Sequence, residues 1–499
     1  MLERPAALYE INTRVVLGER ARSLGRPASL DDLTDEFLDG VKADGFDWVW
    51  LLGVWQTGPA GRRISREMAS WREGFRHGLP DLREEDIVGS PFAIVGYQVD
   101  AALGGDLALA RVRERLARRG IRLMLDFVPN HTACDHPWVR SHPEYYVAGS
   151  TEDLVREPED YASVVASDGR ARVLAHGRDP HAAGWIDTLQ LNYRHAGLRA
   201  AMSEELRRVA ARCDGVRCDM AMLLLPEVIE STWGPRARPA DGTAPVLAPF
   251  WPPALESVRR LGGDTRFLAE VYWDLEATLQ EQGFDFTYDK RLYDRLLSGS
   301  ARAVGESLLA PLAFQERSLR FLENHDEARA AAALEPQMHR AAAALAYLLP
   351  GLRLFHEGQL EGRRVQVSMH LGRRPEEPVD AALRDFYRRL LSCLRRPEAR
   401  ARWRLNEVRP AWPGNGSSES FLSYLWEGGG RGALLVAVNF APTRGQCFAA
   451  VPLEGVRGRV VTFTDLLSEA RYLRDGDDLQ RRGLFLDLPA WGRHAFEVS

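Results

Sequence analysis

The sequence predicts a (β/α)8 barrel that carries a subdomain inserted after its third strand and is followed by a C-terminal antiparallel β-sandwich. Eight apolar runs of strand length alternate with amphipathic helical stretches from the start of the chain to about residue 395, which is the pattern of a closed parallel barrel. After His131 roughly sixty residues pass before the next convincing helix, too many for a plain βα loop and therefore an insertion or functional excursion. Beyond Arg395-Arg-Pro-Glu-Ala-Arg400 the chain turns to short alternating runs punctuated by glycine, which reads as a sandwich of about a hundred residues. Residues 1–131 and 193–395 are accordingly assigned to the barrel, 132–192 to the insertion and 396–499 to the sandwich.

Barrel strands are expected at Ala7 to Asn12, Trp48 to Leu52, Ile121 to Phe127, Gly215 to Cys218, Arg266 to Val271, Phe284 to Tyr288, Ser318 to Leu322 and Gly351 to Phe355. Strands covered on both faces need mostly apolar side chains, as most of these runs have, the seventh, Ser318 to Leu322, being mixed. Helical patterns between them include Leu107 to Arg119, Leu198 to Arg212, Ala301 to Leu312 and Met338 to Leu349. The sandwich is expected to use Phe421 to Leu425, Ala433 to Val438, Val460 to Phe463 and Leu484 to Leu488.

Composition narrows the function class. The 499 residues are 45% hydrophobic and 27% charged, with a formal net charge of −5. So small a charge on so long a chain gives no electrostatic case for nucleic acid or an anionic membrane, and a neutral substrate fits better. Lys42 and Lys290 are the two lysines, arginine supplying the other positive charges. Cys134, Cys213, Cys218, Cys393 and Cys447 are odd in number and scattered, which suits reduced thiols. The start, Met1-Leu-Glu-Arg-Pro5, has no apolar signal core and no run reaches transmembrane length, so a cytoplasmic location is expected. The oligomeric state is not readable from these features.

Four short stretches carry the chemistry: Asp126-Phe-Val-Pro-Asn-His131, Gly215-Val-Arg-Cys-Asp219, Phe267-Leu-Ala-Glu270 and Phe321-Leu-Glu-Asn-His-Asp326. Each reads as a strand tip, and in a parallel barrel such tips converge on the C-terminal face. Asp219, Glu270 and Asp326 then share one pocket, where repulsion and desolvation raise at least one pKa. No spaced His or Cys set accompanies them, and Arg217, on the same face as Asp219, opposes a cation. An ionised Asp beside an Arg, with a second carboxyl kept protonated, is the division of labour that retaining glycoside hydrolysis needs.

Taken in order, the four stretches resemble the four conserved regions of the α-amylase family of glycoside hydrolases and transglycosidases. The resemblance implies that Asp219 is the nucleophile, forming a β-glycosyl-enzyme, and that Glu270 is the general acid and then the base. It implies a separation of roughly 5 to 5.5 Å between their carboxyls, and a third acid, Asp326, that helps distort the sugar ring. Arg217 keeps Asp219 anionic in this scheme, Asp126 braces Arg217, His131 and His325 bind sugar hydroxyls, and Tyr97 stacks under the sugar. Asn130 matches a position that in many relatives binds a structural calcium; it can equally pin the following loop, and no cofactor is required for the chemistry. Trp55, Trp233, Phe250, Trp251 and Trp273 fall in expected loops on the catalytic face, where they can stack on sugars or pack the core. Trp273 is the strongest stacking candidate because it follows Glu270 so closely. Glu357 lines the same mouth or caps a helix.

The pattern departs from the family at two places. Met220-Ala-Met-Leu223 stands where many starch-degrading amylases carry a Lys-His pair, so the leaving-side subsite is built differently. Gln190, in Thr188-Leu-Gln-Leu-Asn192, replaces an acidic residue that often ligates calcium, and an amide is the weaker ligand for a hard cation. The resemblance implies a retaining α-glycosidase for α-1,4-linked glucans or maltooligosaccharides, with hydrolysis ahead of transfer. The alternatives are an α-glucan transglycosidase moving glucosyl or maltosyl units, or an inactive relative serving as a glycan-binding or scaffold module.

Overall fold

In the computed structural model of the chain, residues 6–400, 402–427 and 432–499 are described. The start read above for a signal core, Met1 to Pro5, lies outside them. Eight strands form a closed barrel in chain order: β1 (Ala6–Asn12), β2 (Trp48–Leu52), β3 (Arg122–Phe127), β4 (Gly215–Cys218), β5 (Arg266–Ala269), β6 (Phe286–Tyr288), β7 (Ser318–Arg320) and β8 (Leu352–His356). Every pairing is parallel, and β1 closes the ring against both β2 and β8. All eight lie within a residue or two of the expected runs, since covering both faces makes apolar residues dominate them. All five residues of β2 are buried, Trp48 and Trp50 included.

The insertion leaves the barrel at His131. A short antiparallel ladder pairs His131–Ala133 with Thr188–Gln190, and a hairpin pairs Tyr161–Val165 with Ala171–Ala175. The chain re-enters through the helix Ala196–Ala210. Helix Pro336–Tyr347 is buried along most of its length, with four consecutive alanines, Ala341 to Ala344, inaccessible. It lies beneath the C-terminal sheet, where the Tyr424 hydroxyl donates to the Leu345 carbonyl at 2.9 Å and Trp426 Nε1 donates to Leu348 at 2.8 Å.

The C-terminal part is antiparallel: β9 (Arg402–Leu405), β10 (Val408–Pro410), β11 (Phe421–Glu427), β12 (Ala433–Asn439), β13 (Gly445–Ala449), β14 (Val460–Asp465), β15 (Arg471–Asp475), β16 (Leu484–Leu488) and β17 (Arg493–Val498). Six of them form one sheet in the order β9-β11-β12-β17-β14-β15, and β10-β13-β16 form a second. A separate apolar cluster between them includes Leu435, Phe463, Leu486 and Phe496. Among the described residues no helix is long and apolar enough to cross a membrane.

Candidate active site

Arg217 sits at the centre of the barrel mouth. It points inward from β4, is fully buried, and forks between two acids: Nη1 donates to Asp219 Oδ1 at 2.6 Å and Nη2 to Glu270 Oε2 at 2.7 Å. Its guanidinium lies 5.1 Å from the Trp50 ring and 5.3 Å from the Phe92 ring, aromatic faces that favour a desolvated cation. Planar fork geometry is what allows one residue to orient two carboxylates. Asp126, in register with Arg217 on β3, stands 3.7 Å away. Its oxygens accept from Trp50 Nε1 and the Gly53 amide, both at 3.1 Å.

Asp219 and Glu270 directly follow β4 and β5, and the turns that carry them are held together. The Glu270 amide donates to Cys218, the Ala221 amide donates to the Glu270 carbonyl, and both bonds measure 3.0 Å. Glu270 Oε2 also accepts from the Met220 amide at 2.7 Å, while Oε1 faces the Tyr272 hydroxyl at 2.7 Å. With Oε2 occupied by two N–H donors, a proton on Glu270 belongs on Oε1, shared with Tyr272. Among the described residues four non-glycine positions have positive φ, and three of them follow these acids: Met220 (43°), Trp273 (63°) and Asp274 (60°). Each costs about 1–2 kcal/mol of backbone strain, of the kind that collects at functional sites.

Asp326 comes from the loop after β7, its amide donating to Asn324 Oδ1 at 2.9 Å. Its side chain is 37% exposed and lies 3.1 Å from His325 Nε2. The other imidazole nitrogen, Nδ1, is 2.5 Å from Glu10 Oε1, a fully buried carboxyl in the middle of β1. Five carboxyl groups, Glu10, Asp126, Asp219, Glu270 and Asp326, thus surround two cations, Arg217 and His325. So large an excess of buried negative charge keeps protons bound. Burial pushes Asp126 up to about 6 against the pull of Arg217. It raises Glu270 and Asp219 as well, Arg217 opposing at both and Asp326 adding repulsion. His325 rises well above the usual imidazole range, because Asp326 and Glu10 outweigh the burial that opposes its charge. Asp326 in turn, despite desolvation, is held low by His325.

The structure therefore gathers Asp126, Asp219 and Glu270 around the Arg217 guanidinium and pairs His325 with Asp326, the two groups sharing the Trp50 and Phe92 rings. His131 faces the insertion, 5.3 Å from the Trp185 ring, and burial lowers it to about 4, so it is neutral. Trp273 is 39% exposed and meets His181 of the insertion edge-on at 5.1 Å.

Tyr97 is directed elsewhere. Its ring packs on Phe127 and Trp55 and its hydroxyl both donates to the Val128 carbonyl and accepts from the Val128 amide at 3.0 Å. Those backbone groups consume the polar end, so Tyr97 fastens the loop after β3 instead of facing the acids. Phe92, five residues earlier, is the aromatic at the mouth, its ring near Arg217 and 5.5 Å from His325. Trp55, Trp251, Phe250 and Trp233 are buried; the indoles of Trp55 and Trp251 donate to the carbonyls of Asp126 and Ala221. Glu357 neither lines the mouth nor caps a helix but is buried in an ion pair with Arg374.

Asn130 does not fit a calcium ligand. Its Oδ1 accepts from Gln190 Nε2 at 2.9 Å, its carbonyl accepts from the same nitrogen at 3.0 Å, and its Nδ2 donates to Gln190 Oε1 at 3.2 Å. The two amides satisfy each other, the Asn130 oxygens are taken up by Gln190, and the pair brings no carboxylate to strengthen a cation site. Among the described residues no group of three or more His, Cys, Asp or Glu is placed to hold a metal.

Glu10, Phe92 and Tyr272 were not singled out in the sequence. A charged residue inside an otherwise apolar barrel strand is the signal that could have found Glu10.

No protein-family model matches the chain. It is 24% identical over 412 residues to the α-amylase MalA of Haloarcula japonica, a match covering 78% of this chain and 48% of that protein, so the chain spans about half the length of that curated relative. In fold it is similar to the maltogenic α-amylase AmyB of Thermotoga neapolitana, with a TM-score of 0.69 at 19% identity over 99% of this chain and 98% of that one. The α-amylase of Lactobacillus plantarum is similar over 100% of this chain and 99% of its own, with a TM-score of 0.67 and 19% identity. A sequence relative and full-length structural relatives thus converge on α-amylases, the group that the four strand-end stretches resemble, and the fold is the one those structures share.

Proposed function

We propose that the chain is a retaining α-glycosidase for α-1,4-linked glucans or maltooligosaccharides, with hydrolysis favoured over transfer. The observation that supports it most is the Arg217 fork, which holds Asp219 and Glu270 side by side at one buried point. In this reading residues 1–131 and 193–395 are the catalytic unit, 132–192 and 396–499 flank it, and the protein works in the cytoplasm without a metal. The names of the relatives, α-amylase and maltogenic α-amylase, agree with the substrate class.

The chemistry follows from the groups present. An Asp219 oxygen attacks the anomeric carbon as the glycosidic C–O bond breaks, and the departing oxygen takes the proton from Glu270 Oε1. Glu270, now a carboxylate held by Arg217, the Met220 amide and Tyr272, then removes a proton from the incoming water. That water displaces Asp219 and releases the sugar with its configuration retained. Asp326 and His325 face the hydroxyls of the reacting ring, and His131, being neutral, can donate or accept there. A sugar hydroxyl in place of water gives transfer; Trp273, exposed three residues after Glu270, offers an acceptor sugar a flat surface and is the feature that favours this second reading.

Product analysis on maltoheptaose, with proton NMR of the first-formed anomer, tests the reading. Shorter α-anomeric products are expected; β-anomers would overturn retention, and products longer than substrate would move the assignment to transfer. Glu270→Gln should lose most activity on maltoheptaose yet still react with a glycosyl fluoride, whose leaving group needs little protonation. Asp219→Asn should fail on both.

A further inference from the structure

The outer face of the small C-terminal sheet carries aromatic side chains that folding does not account for. Along β16 the residues Leu484, Leu486 and Leu488 turn inward to the core, and along β13 Cys447 and Ala449 do the same. Period-two alternation should leave polar residues on the opposite face of both strands. Gln446 and Asp487 obey that rule and hydrogen-bond to each other at 3.0 Å. Phe448 and Phe485 break it. They sit directly opposite in register with ring centroids 5.4 Å apart, and Phe485 is 43% exposed. Trp412, on the turn after β10, joins them at 52% exposure. The guanidinium of Arg482 lies 4.7 Å over the Phe448 ring. Together these side chains line a shallow cavity of about 390 Å³, whose rim also carries Arg474 and Asp478.

We propose that this cavity is a second carbohydrate site, one that binds a short stretch of α-glucan chain remote from the barrel mouth. The choice of ligand follows from the lining. Aromatic faces cover the C–H faces of pyranose rings, and an exposed aromatic patch of this kind costs free energy unless something covers it. A wholly apolar partner would strand Arg474, Arg482 and Asp478 without water. An anion would meet Asp478 and Asp475 as well as the arginines. A neutral polyol takes donors and acceptors of both signs at once, and the cavity volume lies in the range of ligand sites. Two glucan sites on one chain raise the effective concentration of polymer at the acids without any new contact there. The proposal rests on the glucan reading of the barrel but adds a separate site to it.

Native electrophoresis of the full chain through gels containing amylopectin tests it, alongside turnover of maltoheptaose. Wild type should be retarded. Trp412→Ala and Phe485→Ser should lose most of that retardation and raise KM on amylopectin about 3- to 10-fold, with kcat/KM on maltoheptaose unchanged. Trp412→Tyr, which keeps a flat ring, should restore binding and guards against a variant that merely unfolds. Undiminished retardation of both variants overturns the proposal while leaving the barrel reading intact, as does a wild type that hydrolyses maltoheptaose but is not retarded. Loss of self-association in sedimentation, with glucan binding unchanged, also overturns it and assigns the patch to a second copy. A wild type that neither turns over maltoheptaose nor is retarded overturns both readings.

Discussion

Glu10 and His325 meet at 2.5 Å across the barrel, although one lies on the first strand and the other in the loop after the seventh. The contact directs the opposite imidazole nitrogen to Asp326, so a carboxylate–imidazole–carboxylate chain runs from the buried core to the exposed end of the mouth. Its consequence is electrostatic: Glu10 helps keep His325 charged, and charged His325 keeps Asp326 ionised.

Glu10→Gln retains the shape and removes the charge. Because Glu10 raises the His325 pKa, its loss should make His325 titrate at lower pH, which imidazole proton NMR of the purified variant reads directly. Losing a hydrogen bond to a charged group is worth about tenfold or more, so kcat/KM should fall by at least about 10-fold. An unchanged His325 titration would remove Glu10 from the relay.

Tyr272 gives a shift of opposite sign. Its hydroxyl donates to Glu270 Oε1 when that residue is a carboxylate, which stabilises the charged form and lowers the pKa. Tyr272→Phe should therefore move the alkaline limb of kcat/KM upward by about one pH unit, the equivalent of one hydrogen bond to a charged group. A limb that stays put or moves down would mean that Glu270 is not the ionisation observed.

How far the site could be read in advance depended on the physics behind each residue. The barrel strands were legible because two covered faces favour apolar runs, and Asp126, Arg217, Asp219, Glu270 and Asp326 were legible because each lies near the C-terminal end of such a run or in the loop that follows it. Glu10 shows only as a charge within an apolar strand, and its partner, His325 in the loop after β7, is brought to it by barrel closure, which periodicity does not encode. Phe92 and Tyr97 were exchanged for a related reason. The path of the loop between them decides which ring reaches Arg217, and that path is fixed by Val128 backbone groups thirty-one residues away from Tyr97. Trp55 and Trp251 turn inward with their indole N–H groups on carbonyls, a choice made by packing.

The Asn130–Gln190 amide pair predicts calcium independence. The pair ties the loop after β3 to the returning strand of the insertion, so the clamp is neutral and internal. EDTA should leave the thermal midpoint unchanged, whereas Gln190→Ala, which strands buried polar groups of Asn130, should cost about 1–3 kcal/mol in denaturant titrations. A midpoint that falls in EDTA and recovers with calcium would sink the assignment.

His339 supplies a pH test of folding that lies outside the barrel mouth. It is buried in helix Pro336–Tyr347 with Nε2 at 2.7 Å from the Tyr387 hydroxyl, and burial lowers it to about 4. An unfolded histidine titrates near 6.5, so between these values the unfolded chain binds a proton that the folded chain refuses. The stability contributed by neutral His339 is thus fully present above pH 6.5 and is lost as pH falls toward 4. His339→Gln keeps a polar group beside Tyr387 and removes the titration. The variant should be less stable than wild type at pH 7.5, and the gap should narrow by about 2 kcal/mol by pH 5. Urea titrations of both proteins at the two pH values measure it; a gap that stays constant would show that folding leaves the His339 pKa unshifted.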